Sequence, residues 1–206
     1  MTIIEILVAT AVMLAVSGGV FGMLGPAQST SQAQPETSDV HQRLRVAVDA
    51  ISRDLMMAGS GMPEAVPALM PDRHAITAVY VPWGASASAS HTYYLKNDPA
   101  SGAPQLMHYD GKVTDSPVVD HVVKLEFEYF DGVGAPLDPT ASASGEDWIR
   151  IRRIRVLVRV EASLDSMRGP SGRLFARAGT STALQRYVPD RELQFDVSIR
   201  STSDDR

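Results

Sequence analysis

The chain has 206 residues, enough for one domain, and its 44% hydrophobic and 21% charged residues exclude wholesale disorder. Nineteen basic against 24 acidic residues give a net charge of −5, not the basic excess of a general nucleic-acid binder. With no cysteine, disulfides, thiolate metal sites and thiol nucleophiles are excluded, and with only 6% aromatics the core falls to Val, Ile, Leu, Met and Ala.

The hydrophobicity is concentrated at the start. Residues 1–25 carry a single charge, Glu5. As a helix they would extend about 37 Å, longer than a hydrocarbon core of about 30 Å. A secretory signal peptide or a plain signal anchor would carry flanking positive charge, yet the first Lys or Arg is Arg43. A carboxylate in such a segment is costly and marks a functional position. A third alternative is a mature N-terminus exposed by removal of a basic leader.

The run Met1-Thr2-Ile3-Ile4-Glu5-Ile6 resembles the N-terminus of type IV pilins and pseudopilins, with Met1 where Phe is commoner. The resemblance implies that prepilin peptidase cuts just before Met1 and that the new N-terminus is methylated. It also implies that Thr2 and Glu5 serve subunit assembly. The physics of Glu5 agrees. A buried carboxylate needs a positive partner, and the cation within reach is the α-amino group of a neighbouring chain, offset by about one helical turn. The competing role for Glu5 is to cap its own helix at the lipid surface.

Residues 26–38 change composition, with Pro26, Pro35 and many small polar residues, and predict a linker or weak helix. Gly18, Gly19, Gly22 and Gly25 lower helix propensity just before it, or serve close packing between membrane helices. From Glu36 to Ala58 the helical period is clear. Val40, Leu44, Ala47, Val48, Ile51, Leu55 and Ala58 form one apolar stripe, while Asp54 and most other charges are assigned to the remaining faces. Ser38 or Asp39 is the expected cap and Gly59 the stop. The segment running through Ser52-Arg53-Asp54-Leu55 to Met57-Ala58-Gly59 resembles the arginine-bearing helix of PilW-type minor pilins.

The remainder reads as mainly β. Strands are predicted at 75–81, 92–95 and 105–109, with a small-residue loop at 84–90. In 122–129, Val123, Leu125, Phe127 and Tyr129 share one face. Asp131-Gly132 opens a turn-rich loop to Asp147. Ile154, Val156, Val158 and Val160 alternate with Arg153, Arg155, Arg159 and Glu161, with a bulge or turn expected near Arg152. The last strand is expected around Leu193, Phe195, Val197 and Ile199. The predicted fold class is therefore α+β: a long N-terminal membrane helix packed on a predominantly antiparallel sheet head. It divides into an apolar membrane and assembly helix (1–25), a linker with the amphipathic second half of the helix (26–59), and a periplasmic or extracellular β-rich head (60–206).

No nucleophile-elbow, zinc-protease or phosphate-loop motif occurs. His41, His74, His91, His108 and His121 are far apart in sequence without metal-ligand spacing, so no metal, cofactor or catalytic residue is predicted. Asp131, Asp138 and Asp147 suit turns, with loop calcium as the competing use. Arg150, Arg152, Arg153, Arg155 and Arg159 form the densest charge cluster: either an exposed strand face or a contact for an acidic partner subunit, DNA or lipid headgroups.

The resemblance implies a non-enzymatic minor pilin that assembles into, primes or caps a type IV pilus. A minor pseudopilin of the J type, from type II secretion, is the near alternative. A membrane-anchored sensor or enzyme would need a ligand pocket or a catalytic constellation. The implied partners are other pilins, prepilin peptidase, the inner-membrane assembly platform and the membrane itself. The implied location is the inner membrane before assembly, with the head in the periplasm, and the surface pilus after it.

Overall fold

The computed structural model describes residues 2–63, 67–112, 115–138, 147–168 and 188–199, with only the backbone for 22–32, 147–148 and 166. One helix, α1 (Ile3–Met57), runs unbroken for 55 residues, about 82 Å at about 1.5 Å per residue. Thr2 is its N-cap, so the start expected at Ser38 or Asp39 does not exist. Asp39 instead pairs with Arg43 one turn on. The stretch 26–38 is helical despite Pro26 and Pro35. Beside Pro35, Glu36 is buried and bonded to Ser163 and Leu164, and this anchoring overrides weak local propensity. The helix stops as expected, with Gly59 at φ +79° and its N–H on the Val79 carbonyl at 2.9 Å.

Among the described residues nine strands follow: β1 (Leu69–Pro71), β2 (Ala75–Tyr80), β3 (Ala89–Asn97), β4 (Pro104–Tyr109), β5 (Ser116–Asp120), β6 (Val122–Phe130), β7 (Pro136–Leu137), β8 (Arg153–Val160) and β9 (Arg191–Ser198). They form two antiparallel sheets, ordered β1-β2-β3-β4-β5 and β7-β6-β8-β9. The first is a simple meander of hairpins. The expected strands are all present. β1, β5 and β7 were not expected, being short, proline-bearing edge strands with little periodicity of their own.

The second half of α1 lies on both sheets, touching β2, β5, β8 and β9. Val40, Leu44, Ala47, Ile51, Leu55 and Ala58 of the predicted stripe are buried, while Val48 is only half-buried. They meet Ile154, Val156, Val158 and Val160 of β8 together with Leu125, Phe127 and Tyr129 of β6 in one core. A register shift between Val122 and Lys124 corrects the face assignment at the start of β6. The bulge turns Val122, not Val123, into the core. The irregularity expected near Arg152 is a short 3-10 helix, Asp147–Arg150, after which Ile151 is buried and Ile149 is exposed. In β9 only Val197 is fully buried, so that face is less covered than its alternation implies.

Candidate functional site

The first half of α1 presents a long exposed apolar surface. The span Ile3–Phe21 is 19 residues long and 0% of it is buried within the chain. Ile3, Ile4, Val12 and Met13 are all more than half exposed, on different faces of the helix. Such a surface requires a cover of lipid or of other apolar helices.

At its tip, Thr2 is extended and its N–H donates to Glu5 Oε2 at 3.3 Å, the capping-box arrangement. In the single chain Glu5 therefore caps its own helix. The long contact leaves the second carboxylate lone pairs for another donor. Met1 lies outside the described residues.

Arg153, Arg155 and Arg159 lie along the outer face of β8, while Arg152 precedes the strand and Arg150 closes the 3-10 helix before it. Arg152 donates to the Ile149 carbonyl at 2.7 Å. Arg155 donates to Asp196 at 3.0 Å and lies 3.6 Å from Glu128, and Arg153 lies 3.6 Å from Asp196. Both guanidinium groups sit over the Phe130 ring, at 4.5 and 4.9 Å. The cross-strand register, Arg155 between Glu128 and Asp196, is what pairs these charges. Arg159 neighbours Asp190, and its Nε is buried without a hydrogen-bond partner among the described residues. An open groove of about 450 Å³ runs beside this face between β6 and β7, lined by Arg73, Glu128, Phe130 and Arg155 among others.

Asp131 forms a turn: its Oδ1 accepts from Val133 N–H at 3.0 Å and Ala135 N–H at 2.8 Å. The side chain of Asp147 lies outside the described residues.

The histidines separated in sequence are not all separated in space. β3 pairs with β4 so that Tyr93 faces His108, and the period of two puts His91 on the same face. His91 Nδ1 and His108 Nε2 stand 2.7 Å apart. Asp54 reaches them from the last turn of α1, its Oδ2 at 3.4 Å from His91 Nδ1 and 3.8 Å from His108 Nε2. Tyr93 Oη donates to Asp54 Oδ2 at 2.6 Å and Tyr80 Oη to Oδ1 at 3.3 Å. The rings stack in sequence, Tyr80 on His91 at 5.1 Å and His91 on His108 at 4.9 Å. Burial, reinforced by Asp54, raises the pKa of both tyrosines, so each keeps its proton and donates. Burial and the neighbouring His91 lower the pKa of His108 against the opposing pull of Asp54 and Asp110.

Asp54 is therefore not on an outward face, as the charge pattern implied, but buried. Its spacing from Ala47, Ile51 and Ala58 at steps of three and four was the available signal. For the histidines the signal was the β3–β4 hairpin, whose register juxtaposes positions 17 apart.

No family model matches this chain, and no curated protein matches it. Among solved structures, a type IV-like pilin from Thermus thermophilus is similar, with a TM-score of 0.50 over 77% of this chain and 94% of that one. The two sequences are 14% identical, so the likeness is one of fold. The fold is pilin-like.

Proposed function

We propose that the chain is a non-enzymatic minor pilin that assembles into, primes or caps a type IV pilus. The observation that carries this is the two-part helix. Its second half is buried on the head, while its first half, Ile3–Phe21, is apolar on every face and packs on nothing among the described residues. Lipid before assembly and neighbouring helices after it supply the cover. In this reading Glu5 exchanges its capping contact with Thr2 for the α-amino group of the adjacent subunit, produced at Met1 by prepilin peptidase and methylated. The inner-membrane platform carries out the exchange, and the arginine face of β8 contacts a partner subunit.

The test is Glu5→Ala. Membrane insertion should persist or improve slightly, because a costly charge leaves the apolar span. The head, whose described core contacts with the helix begin at Ala33, should fold normally. Filament recovery and pairwise association with other pilins should fall, since an unpaired buried amine costs about 3–5 kcal/mol. Glu5→Asp, with the charge kept and the reach shortened, should be intermediate. Normal assembly of the Ala variant at matched membrane levels would remove Glu5 from docking. Recovery with a secretion pseudopilus would reassign the chain to that system. Intact mass and N-terminal sequencing of membrane-isolated protein read leader removal and methylation together.

A further inference from the structure

Three lone-pair donors from three elements converge at the seam between α1 and the first sheet. Asp54 comes from the last turn of α1, His91 from β3 and His108 from β4. At the 2.7 Å contact only one of the two facing ring nitrogens has room for a hydrogen. Asp54 Oδ2, at 3.4 Å, competes for that same hydrogen. Asp54 Oδ2 already accepts from Tyr93, so the two ring nitrogens and its remaining lone pair face one shared hydrogen, an excess of acceptors over donors in a half-buried place. A cation that favours imidazole nitrogen satisfies all three at once.

We propose that Asp54, His91 and His108 bind a divalent transition metal of the zinc class, which clamps the end of α1 to the β1–β5 sheet. Two imidazoles and one carboxylate suit zinc and its neighbours, whereas calcium and magnesium favour oxygen throughout. The supporting contacts are in place. With His91 Nδ1 on the metal, its Nε2 carries the hydrogen, and Tyr80 Oη lies 3.2 Å away to accept it. Tyr80 then donates to Asp54 Oδ1 and Tyr93 to Oδ2, which orients the carboxylate. Tetrahedral bonds of about 2.0–2.1 Å place neighbouring ligand atoms about 3.3 Å apart. The separations of 3.4 and 3.8 Å to Asp54 are close to this. The histidine pair opens from 2.7 Å by about 0.6 Å, a small ring rotation, to reach the same tetrahedral spacing. The side chains of His91 and His108 are 19% and 23% exposed, which gives the ion a way in and leaves water the fourth position.

Chelator-washed full-length protein in detergent, titrated with Zn²⁺ against a chromophoric competitor, should bind one ion per chain and melt at a higher temperature. His91→Gln and His108→Gln should each weaken binding at least about 100-fold, and Tyr80→Phe about 10-fold. His41→Gln, exposed on α1, should change neither binding nor the melting shift. In the wild type, nitrogen spectra of the imidazoles should show Zn²⁺ moving His91 Nδ1 and His108 Nε2, a readout independent of whether any variant folds. No saturable binding below about 100 µM Zn²⁺ would overturn the proposal. So would binding retained by both Gln variants, or shifts confined to other histidines.

Discussion

Glu36 joins the helix to the far end of the head, and removing it should unfasten both. Its carboxylate is buried, and a single oxygen, Oε1, accepts from Ser163 N–H, from Ser163 Oγ at 2.7 Å and from Leu164 N–H at 3.3 Å. Burial alone would raise its pKa. The hydrogen bonds from Ser163 and Leu164, with the charge of Arg43, outweigh that and hold it below the usual glutamate value. Glu36→Ala strands two backbone N–H groups and a hydroxyl. Buried orphans cost about 1–3 kcal/mol each, and because Leu164 is exposed enough for water to compensate in part, a total of about 3 kcal/mol is expected. For a domain of this size that lowers Tm by about 6–12 °C. Glu36→Gln keeps an acceptor oxygen and loses only the charge assistance, about 1 kcal/mol. The acid dependence has a definite sign. Because the folded pKa is depressed, the unfolded chain binds the proton first. The contribution is complete above the unfolded value of about 4.3 and is lost as pH falls through the folded value. Thermal melts of the full-length protein in detergent, followed by circular dichroism between pH 7 and pH 3, read both effects. A loss below about 1 kcal/mol in the Ala variant would refute the anchoring role. An acid limb unchanged in Glu36→Gln would refute the linkage.

Tyr129→Phe should cost about 1–2 kcal/mol in the same melts, because the buried hydroxyl donates to the Asp72 carbonyl at 2.6 Å and accepts from its N–H at 3.1 Å. A variant as stable as wild type would mean that the link between β6 and the segment joining β1 to β2 is energetically idle. Arg153→Ala with Arg155→Ala should cost little stability, about 1 kcal/mol, because the pairs with Glu128 and Asp196 are largely exposed. It should reduce co-purification with other pilins, and unchanged recovery would assign this face to solvent.

Local periodicity made much of the architecture legible. The stripe from Val40 to Ala58 and the period-two alternation of β8 and most of β6 report which face a residue presents, and the structure buries those faces, whereas the apolar run at the N-terminus reports a surface that the described chain leaves exposed. Glu5 was legible for a similar reason, as a lone charge in an apolar span. Local signals carry nothing about partners distant in sequence. The anchoring of α1 beside Pro35 comes from Glu36 meeting Ser163, 127 residues away. Whether Val122 or Val123 enters the core depends on a bulge set by the pairing of β6 with β8. The meeting of Asp54, His91 and His108 depends on one hairpin register and on how α1 docks across it. The sequence by itself determined which surfaces are apolar and which elements form, because both follow from spacing along the chain. Only the tertiary structure decided which charges and rings meet, because strand register and helix docking are fixed by packing between segments far apart in sequence.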